Sequence, residues 1–434
     1  MITKTKRILM EFLKRFHLMF FGHPMGRQME RFVVGLSWFM LSGVLAILII
    51  FGANVMAARW LGPEEYGKYN LVLAISGFIL ILMLGGMEVA AGRYLAIEKD
   101  PGKRSGTAAF LYRRTVRRVV VVAVVAMLAI VIAGRMFGIG REILAVSLVT
   151  SIFLSFRGIG NGILRGMNLF KLQGFFRFSE AVIIVVALGI ALWLAPRNYL
   201  AYALAALAGY ALFAILAWTK IDLIKSAKGA TENAEIVSYA NLAITALLAN
   251  FIFNGSDRIV IERILGLKAV GMYSAYFSIS VGAVNQIRHI FINVFFPEIA
   301  RSQNRLNQLY KIRKIALVLF APWIIAMCIF IYLVMLLFGK EYEVNPLMVV
   351  AFALFSYAFF FMGVSQWFLA SISRKAMVAS AVIAASGGAI QIVLSVMVLW
   401  LTKNISYFAL ALFVSSFIYW MVNDGYIKKF SGQS

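Results

Sequence analysis

Apolar residues along this chain come in long runs, separated by short breaks that carry charge, glycine or proline. At a rise of 1.5 Å per residue, about twenty apolar residues cross the roughly 30 Å hydrocarbon layer of a bilayer. The runs predict spans near 32–58, 70–96, 115–134, 142–163, 179–195 and 200–219, and again near 236–261, 272–296, 315–338, 346–370, 377–402 and 405–424. Little chain is left over for a soluble domain. The pattern predicts an all-α, polytopic membrane protein of about 12 transmembrane helices.

Composition identifies the solvent. Of 434 residues, 62% are apolar and 14% charged, and a soluble fold of this length does not tolerate that balance on its surface. The net charge of +24 is strongly patterned: the loops of one face carry 29 of the lysines and arginines, and the loops of the other carry nine. By the positive-inside rule the 29-residue face, with both termini, is cytoplasmic, which predicts a multi-pass protein of the cytoplasmic (inner) membrane. The charge is therefore a topology signal, and nucleic acid is not an expected partner. Lys4, Lys6, Arg7, Lys14 and Arg15 interrupt the first apolar residues, so no cleavable signal core forms. Within residues 2–21, Ile2, Leu9, Leu13 and Phe16 share one helical face, which reads either as an interfacial helix or as a topogenic leader. The single cysteine, Cys328, permits no internal disulfide or sulfur-ligated metal. His17, His23 and His289 have no metal-ligand spacing, and no cofactor is expected.

The chain repeats itself. The eighteen residues from Arg59 to Ser76 match those from Arg263 to Ser280 at seven positions with a constant offset of 204, including Gly62 with Gly266, Gly67 with Gly271 and Tyr69 with Tyr273. Each copy follows the first span of its half. Because six spans, an even number, separate them, the halves have parallel topology and are related by an axis along the membrane normal. The expected domains are a basic N-terminal segment (1–31), a six-helix lobe (32–219), a cytoplasmic linker (220–235) and a second six-helix lobe with a short tail (236–434), around a central cavity.

The string Ala58-Arg59-Trp60-Leu61-Gly62-Pro63-Glu64-Glu65-Tyr66-Gly67-Lys68-Tyr69, with the following span ending Leu84-Gly85-Gly86-Met87-Glu88-Val89-Ala90-Ala91-Gly92-Arg93-Tyr94, resembles the polysaccharide transporter family of oligosaccharide flippases. That family belongs to the multidrug/oligosaccharidyl-lipid/polysaccharide exporter superfamily, whose members have two six-helix lobes around a cavity. The resemblance implies transport of an undecaprenyl-diphosphate-linked oligosaccharide, such as an O-antigen, capsule or exopolysaccharide repeat unit, from the cytoplasmic to the outer leaflet by alternating access. It also implies coupling to H+ or Na+, and a glycan polymerase and glycosyltransferases as partners. The related lipid II flippases carry two further C-terminal helices. This sequence stops at a short basic tail, so that substrate is not favoured.

Ionisable residues inside spans are costly, and each is a candidate for a water-filled lumen. Asn285, His289 and Asn293 recur at four-residue spacing with Arg288 beside them, so one face of that span is polar. Asn250, Asn254 and Asp257, with Arg258, form a second stripe on the preceding span, and Asn54 and Glu88 lie on the matching spans of the first half. Those four spans form the expected cavity wall. Arg288, His289, Asn285, Arg157 and Arg93 are the candidate binders of an anionic lipid headgroup, since a guanidinium fork suits a diphosphate. The competing reading is that positive-inside bias alone places arginines there, with Arg177 paired to Glu180 and Arg258 to Glu262 at helical spacing. Glu88 and Asp257 are the carboxylates expected to serve ion coupling.

Pro101-Gly102-Lys103-Arg104-Ser105 lacks the upstream glycine and the hydroxyl residue of a phosphate loop. Gly158, Gly160 and Gly162 fall inside an apolar span and suit close helix packing. An enzyme is not expected. A cation-coupled multidrug exporter of the same superfamily is the alternative, but it calls for a cavity of carboxylates and aromatics. A membrane polysaccharide polymerase or ligase calls for a sizeable external loop, and the external loops here are short.

Overall fold

The computed structural model describes residues 11, 27–136, 139–195, 197–222, 234–285, 287–288, 305–372 and 374–431. Among these there are thirteen α-helices: α1 Arg27–Leu84, α2 Met87–Ile97, α3 Pro101–Met136, α4 Arg141–Gly166, α5 Phe170–Leu194, α6 Tyr199–Asp222, α7 Ala234–Asn254, α8 Asp257–Leu265, α9 Leu267–Phe277, α10 Arg305–Phe338, α11 Pro346–Ile372, α12 Arg374–Thr402 and α13 Ile405–Ser431. Nine helices in the described residues are long and apolar enough to cross a membrane. One of these, Gly43–Leu84, holds residues of two predicted spans, because the chain turns within it. Most of the basic N-terminal segment and of the linker between the lobes lies outside the described residues, as do His289 and Asn293.

The turn in α1 is made by Gly62, at φ 75° and ψ 168°, with Pro63 following it. Glycine adopts that φ without a Cβ clash, and proline opens the next helical segment, where its missing N–H is not needed. Gly266, at the repeat-equivalent position, has φ 83° and ψ 178° and separates α8 from α9. The two halves thus make the same turn with the same backbone. Other helix starts are equally local. Asp100 Oδ1 accepts from the Gly102 and Lys103 amides (2.7 and 3.1 Å) ahead of α3, and Asn345 Oδ1 accepts from Leu347 and Met348 (2.9 and 3.2 Å) ahead of α11. In each case a capping side chain precedes a proline at the first helical position.

Three predicted spans are not continuous α-helices. The 70–96 span breaks at Gly85–Gly86, the 236–261 span breaks between Asn254 and Asp257, and α9 runs into a single π-turn, Ser278–Gly282. Breaks at membrane depth persist only where neighbouring groups take up the freed backbone. At the first break Arg118 Nε donates to the Leu82 carbonyl at 3.0 Å.

Burial sorts the helices. The most apolar window of α11 is 83% buried, whereas those of α3 and α10 are 11% buried. The former is enclosed by the rest of the second lobe, and the latter two leave most of their apolar surface uncovered by protein. Within the first lobe, Gly158, Gly162 and Gly166 of α4 form a seam in which Leu84, Glu88 and Ala91 sit, while Gly160 faces Ala217 of α6. These glycines do serve close packing.

Among the described residues the lobes meet in two places. On the face opposite the basic one, Gly67 lies against the Leu267 carbonyl and Gly271 against the Pro63 carbonyl. Both pairs are related by the 204-residue offset, so the crossing is reciprocal. The Tyr66 ring is inserted between Phe338 and Tyr342, with ring centroids 6.4 Å from each, and the Tyr342 hydroxyl donates to the Ala58 carbonyl at 3.1 Å. Nearer the basic face α7 packs antiparallel to α1 and α2, through Phe78 and Phe251 (5.6 Å), Gly86 and the Ala240 carbonyl, and Tyr94 and Tyr239 (5.7 Å).

Candidate functional site

The first lobe concentrates charge at its α2–α4–α5 junction. Arg157 Nε donates to both oxygens of Glu180, at 2.8 and 3.0 Å, and the guanidinium lies over the rings of Tyr210 and Phe213, 5.6 Å from each centroid. Glu180 is almost wholly buried, so desolvation strengthens the pair's attraction while making either partner costly to leave alone. Arg177, expected to hold Glu180, is not its ion-pair partner in the described contacts. The α4–α5 crossing brings Arg157 closer than helical neighbourhood brings Arg177.

Glu88 follows the Gly85–Gly86 break in the first turn of α2, against the missing side chains of Gly158 and Gly162. It lies within electrostatic reach of Arg157 and Arg177. Arg93 is exposed and stacks over Tyr239 of the other lobe at 4.6 Å, while the neighbouring Tyr94 hydroxyl donates to Glu235 at 3.0 Å. Arg93 therefore sits on the lobe junction.

In the second lobe Arg288 is turned toward α11. Its guanidinium lies over the Phe359 ring at 4.3 Å and fills the space left by Gly363, and its Nη2 donates to Asn285 Oδ1 at 2.6 Å. Its Nε is buried without a hydrogen bond, and no carboxylate pairs with it among the described residues. Asn285 and Arg288 are brought together as the polar face predicts. His289 lies outside the described residues, and so do the side chains of Asn250 and Asn254.

Asp257 is committed elsewhere. Its Oδ1 takes Arg258 at 3.1 Å, its Oδ2 accepts a short hydrogen bond from the Tyr273 hydroxyl, and Arg258 stacks on Phe277 at 4.5 Å. The expected Arg258–Glu262 pair is replaced by Arg258–Asp257, because the α7–α8 break lets Asp257 fold back onto its neighbour. A second buried network was not anticipated: Asp424 accepts from Arg313 Nε at 2.8 Å and from the Ser365 hydroxyl at 2.6 Å. Its only sequence signal is an acid near the end of the last span.

Comparison with solved structures places this arrangement. The chain resembles an inward-facing multidrug resistance MATE family transporter of the MOP superfamily at 13% identity, over 89% of this chain and 95% of that one, with a TM-score of 0.68. An outward-facing MATE family transporter of that superfamily aligns over 92% and 95% at 14% identity, with a TM-score of 0.56. A MOP superfamily transporter from Pyrococcus furiosus, described as having a binding pocket of reversed polarity, aligns over 92% and 95% at 16% identity, with a TM-score of 0.58. No curated protein matches the chain. The family model for polysaccharide biosynthesis proteins matches residues 32–303, more than half of the sequence. With that match over more than half of the sequence, the chain belongs to the polysaccharide biosynthesis protein family, and its fold is the one seen in the MATE family transporters.

Proposed function

We propose that this protein is a flippase that carries an undecaprenyl-diphosphate-linked oligosaccharide from the cytoplasmic to the outer leaflet of the inner membrane by alternating access, coupled to H+ or Na+. The observation that carries the reading is Arg288: a half-buried guanidinium whose Nε is buried without a hydrogen bond, with no carboxylate partner among the described residues, held on Phe359 and Asn285. An uncompensated cation at membrane depth is costly unless an anion arrives to share its site. A diphosphate supplies that anion and accepts a bidentate fork. Arg157 keeps its terminal nitrogens for the same ligand while Nε holds Glu180, and Arg93 lines the way in at the lobe junction. A multidrug exporter would need carboxylates in these places. The test is export of lipid-linked glycan by Arg288 variants, normalised to protein in the membrane. Loss of a charge-assisted hydrogen bond of about 1.5–3 kcal/mol predicts at least a tenfold fall for Arg288→Ala, with Arg288→Lys recovering little of it. Wild-type export by Arg288→Ala would falsify the contact.

Glu88 is the coupling carboxylate in this reading, because it sits beside a helix break within reach of two arginines. Arrival of the anion competes with Glu88 for those cations and changes its affinity for a proton or Na+. Glu88→Gln is expected to leave the protein folded and to abolish substrate-dependent ion flux in proteoliposomes. Undiminished flux removes Glu88 from coupling.

With both termini cytoplasmic, Lys268 and Lys428, both exposed, lie on opposite faces. In a Cys328→Ser background, Lys268→Cys is expected to label from outside the cell and Lys428→Cys only after permeabilisation. The reverse pattern would invert the topology. Lys68 is less suitable, since it is ion-paired with Glu65 and partly covered.

A further inference from the structure

On the basic face a cleft separates α3 from the start of α7, lined by Arg114 on one wall and by Ala234, Val237, Ser238 and Asn241 on the other. The walls belong to different lobes. Arg114 stands on the same helical stripe as Val121, Val124, Val125 and Leu128, at spacings of 7, 10, 11 and 14 residues, and all four of those are exposed. An exposed apolar stripe on a membrane helix faces acyl chains, so the cleft opens sideways where hydrocarbon gives way to headgroups. Arg113 and Arg117 are exposed beside it. Across the cleft, Ser238, Asn241 and Thr245 recur at helical spacing and are all exposed, with Leu242 exposed next to them. Positive-inside bias accounts for the arginines. It does not account for a polar stripe on an adjoining membrane helix, which needs a polar partner when lipid surrounds it.

We propose that this cleft binds the phosphate headgroup of an anionic phospholipid from the surrounding leaflet. Arg114 takes the phosphate through its fork, Ser238 and Asn241 donate to headgroup oxygens, and the acyl chains lie along the Val121–Leu128 stripe. A lipid held between two lobes acts as a wedge on their relative movement, which makes the site regulatory and separate from the transported cargo.

The experiment uses full-length purified protein with no transported substrate present, and reads by native mass spectrometry how much dioleoyl phosphatidylglycerol and dioleoyl phosphatidylcholine remain bound. One basic residue near the membrane surface is worth about a fivefold preference, so Arg114→Gln should lose about that factor in phosphatidylglycerol retention. Asn241→Leu, which keeps every charge and adds apolar surface where lipid surrounds it, should lose at least threefold. Lys429→Gln, exposed on the same face but on α13, should match wild type. Loss in both cleft variants with an unchanged control supports the site. Retention in Arg114→Gln, loss in Arg114→Gln without loss in Asn241→Leu, equal loss in Lys429→Gln, or displacement of the lipid by soluble diphosphate each overturns it.

Discussion

Gly271→Leu is expected to stop glycan export while leaving the protein in the membrane, because it removes the state in which the lobes meet on the face opposite the basic one. At this crossing a Cβ on Gly271 would overlap the Pro63 carbonyl, which is backbone and cannot rotate away. Gly67 meets Leu267 in the same manner, so the two positions act on one seam. Overpacking of this kind costs about 1–3 kcal/mol, and the cost falls only on the state with the seam closed. That shifts the balance between closed and open by roughly five- to 150-fold. The nearby Arg197–Glu341 pair, 3.6 Å apart between exposed loops of the two lobes, offers a reporter. With both residues changed to cysteine in a Cys328→Ser background, cross-linking by a short bifunctional maleimide, which spans the length of the two lost side chains, should be efficient in the parent and at least fivefold weaker with Gly271→Leu. Gly43→Ala, where a Cβ meets nothing within 4 Å, should leave cross-linking unchanged. Equal cross-linking in parent and Gly271→Leu would show that the crossing does not set the gap.

The features that sequence made visible are those fixed by local chemistry. Gly62 and Gly266 stand in matching contexts 204 residues apart, and both adopt the same left-handed turn, since only glycine takes that φ without strain. Asp100-Pro101 and Asn345-Pro346 start helices because capping side chain and ring geometry act within four residues. The span lengths follow from membrane thickness. Features that depend on a tertiary partner were hidden. Gly85–Gly86 ends a helix because Arg118, 33 residues beyond Gly85, comes to the freed carbonyl of Leu82. The π-turn at Ser278–Gly282 has nothing in its residues that marks it off from α-helix. Ion pairs show the difference most clearly: sequence offers only neighbours three and four residues away, hence Arg177 with Glu180 and Arg258 with Glu262. The folded chain chooses by desolvation and crossing angle, and pairs Arg157 with Glu180 across 23 positions and Arg313 with Asp424 across 111. Asn285 with Arg288 was visible because both partners lie on one helical face.

Breaking the Arg157–Glu180 pair should have the largest effect on stability, and pairing the change with its compensation decides what Arg157 is for. Glu180→Leu removes a carboxylate that is about 2% exposed and leaves a guanidinium caged by Tyr210 and Phe213 without its hydrogen-bonded partner, Glu88 remaining within electrostatic reach. Removing one member of a buried pair costs about 3–5 kcal/mol, because the survivor stays desolvated. Arg157→Met should cost as much or more, since Glu180 is the more deeply buried of the two and a lone carboxylate there has lost its main donor. The double variant Arg157→Met/Glu180→Leu replaces both charges by apolar groups of similar volume, a change that is commonly neutral or stabilising. Thermal unfolding of purified protein should therefore show two destabilised single variants and a double variant near the parent. Transport then separates the two readings of Arg157. If the pair is only structural, the double variant recovers export along with stability. If Arg157 also offers its terminal nitrogens to the diphosphate, the double variant is stable yet exports at least tenfold less, by the same loss of a charge-assisted contact expected at Arg288. Arg313→Met/Asp424→Leu is the matched control. It changes another interhelical pair with a buried carboxylate and an Nε donor at 2.8 Å, at a position with no proposed role in binding. Export recovered by both double variants would leave Arg157 as scaffolding and shift the headgroup contact to Arg288 alone.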